Sequence, residues 1–283
     1  MRAPNRGIRP RPADLLPALA FAAAVAAAAP ASEPTTRELE RINWMELREW
    51  VPARSQTVLL PLGTLEPHGV TANGADILAP VAIARAIAPR LDAFVAPVVP
   101  YGFTGSLDAY AGAFTVPEDV YRAYVRSVMV GLARNGFRNL ILVNGHGGGQ
   151  TAVLGALAQE VGREQGVRVL VVNWWSYCAD LTREVFGNEG GHAGDNETAF
   201  MMAIDPALVH AERYTPDLAT ANPAPNTWIA YPHPSSILPY KEGEGYPAFD
   251  PGKARTYFAR VNDKVAGLVA ETIRKWDLAG LQR

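Results

Sequence analysis

Apolar residues follow two rhythms along this chain. The first is the short unbroken run, found at Thr57–Leu62, residues 94–100, residues 139–143 and Arg168–Asn173. Runs without alternation suit strands covered on both faces, as in a parallel sheet. A weaker run at residues 228–231 predicts a fifth strand. The second rhythm is a spacing of three and four, which predicts helices over residues 77–91, 117–135, 150–165, 195–204 and 251–278. Local signals agree. Pro117 with Glu118 and Asp119 suits a helix start, Asn135-Gly136 and Gly166 suit helix ends, and Pro206 stops the fourth helix. Strand and helix alternate, which predicts an α/β fold: a three-layer α-β-α sandwich with a mostly parallel central sheet. Residues 215–250 are rich in Pro, Gly, Asn and Tyr and too long for an ordinary connection. They read as an ordered excursion beside the functional site or at a subunit contact, with a solvated flap as the alternative.

The first 31 residues differ from the rest. Arg2, Arg6, Arg9 and Arg11 precede an alanine-rich apolar stretch from Leu15 to Ala29, and Ala29-Pro30-Ala31 is a small-x-small cleavage pattern. This predicts a signal peptide over residues 1–31, followed by one domain over residues 32–283. The stretch falls short of the roughly 20 residues that a membrane-spanning helix needs. The expected location is therefore the bacterial periplasm or the medium, with no stable membrane insertion after cleavage; a retained anchor or a disordered tail is the alternative.

Composition narrows the partners. The chain has 283 residues, 48% apolar and 19% charged, with a formal net charge of -2. Those are globular values, and no basic stripe is present, so nucleic acid is not an expected partner. Cys178 is the single cysteine, which excludes an internal disulfide.

Three clusters of ligand-type side chains then change the picture. They are Glu66-Pro67-His68 with Asp76, Asn144-Gly145-His146, and His192 to Glu197. Each lies at the end of a predicted strand or the start of a helix. Parallel strands bring such ends to one edge of a sheet, where ligands gather. Glu66 and His68 flank Pro67 and in extended backbone point the same way. Asp76 opens a helix and could bridge two cations. The set suits a mono- or dinuclear hydrolytic centre. Each cluster also has a plainer reading: a polar loop with a capping Asp76, a glycine turn with an incidental His146, and a helix start in which Asp195 and Glu197 act as caps. The glycine run at residues 145–149 lacks Gly-Lys-Ser/Thr and the dinucleotide spacing, so it is not a phosphate loop of either kind.

Together the clusters resemble the creatininase family of metal-dependent amidohydrolases over roughly residues 42–278. The matching motifs are Glu66-Pro67-His68-Gly69 with Asp76, Asn144 to Gly149, and His192-Ala193-Gly194-Asp195-Asn196-Glu197-Thr198. The resemblance implies metal ligands at Glu66, His68, Asp76 and His146, with Asp76 as the bridge. Creatininase has a further glutamate ligand where this chain has Gly148, and Glu197 is the candidate replacement. His192 corresponds to a catalytic histidine, Trp174 or Trp175 to a tryptophan over the substrate, and Glu189 lies near where the family has a glutamate beside that histidine. The implied cofactor is a divalent metal, two per subunit, of zinc, manganese or iron type. The implied reaction is cleavage of a C–N amide bond, cyclic amides included, by metal-activated water. The implied partner is a small-molecule amide, and the implied assembly a homo-oligomer. Two alternatives stand beside it: an exported metal- or ligand-binding module without catalysis, and a metallopeptidase-like hydrolase. The chain departs from the family at Val70 to Asn73, Gly149 and Gly191, which speaks against creatinine itself as substrate.

Overall fold

Four parallel strands form the centre of the computed structural model, which describes residues 33–281. They are β1 (Thr57–Leu62), β2 (Ala93–Val95), β3 (Asn139–Asn144) and β4 (Arg168–Asn173), in the spatial order β2-β1-β3-β4. The expected signal segment lies outside the described residues. Among the described residues no helix is long and apolar enough to cross a membrane.

The helices are α1 (Trp44–Trp50), α2 (Ala75–Ile87), α3 (Glu118–Arg134), α4 (Gly148–Gln165), α5 (Trp174–Tyr177), α6 (Ala179–Phe186), α7 (Asp195–Ile204) and α8 (Pro251–Leu278). Alternate residues of β1 serve opposite layers. Leu60 and Leu62 pack with Tyr121 and Met129 of α3 and Leu154 and Leu157 of α4. Leu59 and Ile141 pack with Ile83 and Ile87 of α2, Phe200 of α7 and Val261 and Val265 of α8. These side chains are almost wholly buried, and burying each large aliphatic one contributes about 1.5–3 kcal/mol. The result is the expected three-layer α/β sandwich.

The helix ends follow local chemistry. Asp250 accepts hydrogen bonds from the Gly252 and Lys253 N–H groups at the start of α8, with Pro251 in the first turn. Gly166 closes α4 in the left-handed conformation at φ +63. Pro117 precedes α3 as its cap residue instead of sitting inside the first turn.

The structure corrects two strands. The run at 94–100 pairs regularly only over Ala93–Val95, and beyond it Val99 makes a single bridge to Leu62. Pro97 has no N–H to give the ladder. Residues 228–231 form no strand; Ile229 is 95% exposed and Tyr231 70%. Prolines at 223, 225, 232 and 234 surround that stretch and leave it few donors. The excursion instead supplies β6 (Leu238–Pro239), antiparallel to β5 (Gly191–His192), with His192 opposite Leu238. The Asn222 N–H also donates to Pro239 O at 2.9 Å. Ser235 and Ile237 are buried, so this is not a solvated flap.

Register sets up the site. Leu62 stands opposite Asn144, and Asn144 opposite Asn173. The carboxyl ends of three strands therefore align on one edge.

Candidate metal centre and its cavity

At that edge the chain passes itself very closely. A Cβ on Gly63 would lie 2.1 Å from Asp76 O, and one on Gly145 only 1.9 Å from the same oxygen. Glycine alone fits both turns, and the first turn of α2 is thereby held between the ends of β1 and β3. That puts Asp76 beside the loops carrying Glu66, His68 and His146.

Six predicted residues converge. His146 Nδ1 is 2.8 Å from Asp76 Oδ2 and 3.0 Å from Glu66 Oε1. His68 Nε2 is 3.1 Å from Asp76 Oδ1 and 3.5 Å from Glu197 Oε2. His192 Nδ1 is 3.5 Å from Glu66 Oε1 and 3.9 Å from Glu197 Oε2. Asp76 therefore turns one oxygen to each of two imidazoles. The side chains of His68, Glu66, Asp76 and Glu197 are nearly inaccessible to solvent.

The other ring nitrogens settle the tautomers. His68 Nδ1 lies 3.0 Å from Glu66 O, His146 Nε2 3.0 Å from Phe103 O, and His192 Nε2 2.8 Å from Pro67 O. Carbonyl oxygens only accept, so each of these nitrogens carries the N–H and donates. Every inward nitrogen is then a lone pair when its ring is neutral. Lone pairs facing carboxylate oxygens at such distances repel unless a proton or a cation lies between. Orientation of a ligating imidazole by a backbone carbonyl is the usual second layer of a metal site. Two ligands, each about 2.1 Å from one cation, lie about 3.0–3.4 Å apart. The Glu66–His146 and His68–Asp76 pairs fall in that window and Asp76–His146 lies just under it, while the contacts to His192 and the His68–Glu197 pair are longer, at 3.5–3.9 Å. Glu66 Oε2 is buried with no hydrogen-bond partner, so the cluster has a free acceptor. These residues fit divalent metal. Two groups share Asp76: Glu66, Asp76 and His146, and His68, Asp76 and Glu197. A third joins Glu66, His68 and His192.

Without a cation, protons balance the charge. Burial opposes ionisation of His68, but Asp76, Glu197 and Glu66 outweigh it and push the imidazole up to about 10. Burial likewise disfavours the charged form of His146, yet Glu66 and Asp76 hold it well above the ordinary histidine range. Burial pushes Glu197 up to about 7, with His68 opposing and Asp76 adding to the rise. His192 goes the other way, down to about 3, because it is buried and next to the His68 charge.

Glu197 is both cap and cluster member. Its Oε2 accepts from the Ala193 N–H at 2.7 Å while facing His68. Asp195 makes no cap; its carboxylate accepts from Asn188 Nδ2 at 2.6 Å. The structure does not bring Glu189 into the cluster. Its side chain is 41% exposed and faces Lys241 Nζ at 3.7 Å, because the chain turns at Gly190 and Gly191 between it and His192. Trp174 is buried against Phe200, whereas Trp175 faces the cavity.

The cavity over the cluster measures about 450 Å³ and is walled by Phe103, Trp175, Asn222, Leu238 and Tyr240. No lysine or arginine is among its described lining residues. Tyr240 is 44% exposed overall, yet the partial burial of its phenol, with Glu197 and Glu189 nearby, pushes it up to about 12. Phe103, Asn222 and Tyr240 were missed from the sequence. Phe103 carries no motif, and the other two lie in the excursion, whose return path has no periodic signal.

A three-layer α/β frame that gathers three imidazoles and three carboxylates beneath a cavity defines a class, the metal-dependent hydrolases of C–N bonds. Within that class the chain belongs to the creatininase family, whose creatinine amidohydrolase profile matches residues 40–267. It is 30% identical to the creatinine amidohydrolase of Pseudomonas putida over 190 residues, 61% of this chain and 73% of that one. It is 31% identical to the mycofactocin precursor peptide peptidase of Mycobacterium ulcerans over 193 residues, 62% of this chain and 67% of that one. A solved creatinine amidohydrolase (creatininase) shares the fold at a TM-score of 0.71 and 23% identity, over 84% of this chain and 98% of that chain. Other solved creatininases include a zinc–zinc type mutant and a manganese form.

Proposed function

We propose that the chain is an exported amidohydrolase that cleaves the C–N bond of a small amide, cyclic amides included. The observation that carries the reading is Asp76, whose two oxygens face two different imidazoles at 2.8 and 3.1 Å. Glu66, Asp76 and His146 would hold one divalent cation, and His68, Asp76 and Glu197 a second. Zinc and manganese, present in relatives, and iron all suit this nitrogen and oxygen set. Bound cations of this kind acidify water and polarise a carbonyl oxygen.

The chain's own groups do the rest. The His192 Nε2–H is committed to Pro67 O, so Nδ1 meets the reacting centre as a base. It takes a proton there and returns it to the departing nitrogen. Trp175 and Phe103 offer aromatic walls to a flat substrate and keep water away. A cavity of about 450 Å³ without lysine or arginine suits an uncharged or cationic amide better than a polyanion.

The test is metal content measured beside turnover of an amide and lactam panel, for the natural protein and His146→Ala. Loss of metal and turnover together is expected. Unchanged turnover in the variant rejects the assignment. Likeness to a peptide peptidase supports a second reading, so the panel includes short peptides; peptides cleaved faster than every lactam would favour it. The export part rests on the basic and apolar pattern of residues 2–31, and the mass of the mature N-terminus in periplasm and medium tests it. The homo-oligomer rests on the family likeness, and sedimentation sizes it.

A further inference from the structure

The cavity has donors that none of the family motifs supplies, and the Tyr240 hydroxyl is one of them. The geometry points to Tyr240 as a substrate-contacting residue whose hydroxyl donates a hydrogen bond to the bound amide. This rests on the reading above, that the cavity over the metal cluster holds the substrate.

The Tyr240 N–H donates to Gly190 O at 3.1 Å, directly after the β5–β6 pairing that sets Leu238 opposite His192. On the other side the Asn222 N–H holds Pro239 O at 2.9 Å. Tyr240 is thus fixed between two chain segments. The approach is so close that a Cβ on Gly191 would lie 2.4 Å from Leu238 O and 2.6 Å from Pro239 Cα. The Gly190-Gly191 pair lets the excursion reach the His192 turn at all.

The side chain is then the point of interest. Tyr240 lines the same cavity as Glu66, His146, His192 and Glu197. The hydroxyls of two other tyrosines are engaged, Tyr110 with His233 O and Tyr257 with Thr182 Oγ1. The Tyr240 hydroxyl has no hydrogen-bond partner among the described residues. A rigidly mounted phenol facing a cavity, with an uncommitted O–H, is suited to bind a carbonyl oxygen or a ring acceptor. The metal ligands are acceptors and His192 Nδ1 is a lone pair, so Tyr240 and Asn222 bring the donor character that an amide oxygen needs.

Two measurements decide it, both on the full chain loaded with zinc. The first is Tyr240→Phe, which removes only the hydroxyl. kcat/KM on the best amide of the panel should fall about 10-fold, the loss of one hydrogen bond, with bound zinc and Tm unchanged. Tyr231→Phe, at an exposed position on the same excursion, should leave kcat/KM where it was. The second needs no turnover. In protein labelled with 3-fluorotyrosine, the resonance missing from Tyr240→Phe is assigned to Tyr240 and followed while 2-pyrrolidinone is added. Movement of that resonance with saturation supports the contact. A still resonance, or an unchanged kcat/KM in Tyr240→Phe, overturns it. If no amide turns over but the resonance moves, the proposed reaction fails and the contact stands.

Discussion

The site is built from two unlike halves. Glu66, His68, Asp76 and His146 hang from the ends of β1 and β3 and the first turn of α2, and their backbones are locked by the sheet register and by Gly63 and Gly145. His192 and Glu197 belong to β5 and the first turn of α7, and Asn222, Leu238 and Tyr240 to the excursion that pairs with β5; none of them is carried by the four-stranded sheet. The packing of α7 in the core fixes Glu197, while a two-residue strand pair and a few loop hydrogen bonds position the others. The sheet-borne half carries most of the ligand atoms, and its geometry tolerates little change. The excursion-borne half supplies one carboxylate, one base and most of one cavity wall. The difference implies a division of labour: the sheet fixes the metal chemistry, and the excursion tunes the substrate.

The largest effect belongs to Asp76→Ala. This residue is common to both candidate cation groups, so its loss should empty both. Activity should fall by more than about 1,000-fold, with metal content near zero. Retention of a full equivalent of metal with activity within 10-fold would break the comparison at once. Next comes His146→Ala set against Glu197→Gln. Each removes a ligand from one group only. Each should lower bound metal by about one equivalent and activity by more than about 100-fold. If Glu197→Gln keeps all its metal, the excursion-borne half holds no cation.

Metal affinity should also depend on pH. In the metal-free protein His68 is pushed up to about 10 and His146 lies well above its usual value. His68 is therefore protonated near pH 7–8, His146 is shifted in the same direction, and a cation competes with protons at these rings. Affinity should therefore rise with pH across 7 to 9, by about 10-fold per unit for each proton displaced. Calorimetry in buffers of different ionisation enthalpy counts the protons; none released near pH 7.5 contradicts the charge pattern. The stability sign follows as well. The raised pKa of His68 stabilises the metal-free fold below about pH 6.5, and that contribution fades as pH climbs toward 10.

Trp175→Ala probes the cavity wall. Removing an aromatic face should raise KM about 10-fold, with metal content unchanged and kcat within a few-fold. A loss of metal instead would mean that this tryptophan supports the cluster and not the substrate.

The same two halves explain what the sequence could reveal. The core strands and the residues that converge in the cluster were readable because a buried parallel strand is an unbroken apolar run, and chemistry at its end stands out from it. Thr57–Leu62 and Arg168–Asn173 have the observed limits. The excursion was not readable. Its one strand is two residues long and pairs across more than 40 positions, so Leu238 and Tyr240 leave no periodic trace. The run at 228–231 looked apolar enough for a strand, but apolar character without a partner edge gives an exposed loop. Short helices such as α5, one turn at the end of β4, were equally invisible. In the same way, Glu189 looked close to His192 because sequence distance is a poor guide across a glycine turn.

Glu189 lies three residues from His192, yet its carboxylate is 41% exposed and its ion-pair partner is Lys241 at 3.7 Å. Exposed pairs of this kind contribute about 0–1 kcal/mol. Its remaining influence on the site is a weak field at the Tyr240 phenol, which stays protonated near neutral pH with or without it. Glu189→Gln should leave kcat/KM within about 2-fold, metal content unchanged and Tm within a degree or two. A fall of 100-fold would mean that the turn closes over the cavity during catalysis and carries Glu189 to His192. The excursion-borne half would then be part of the reacting machinery, and the division between the two halves would not hold.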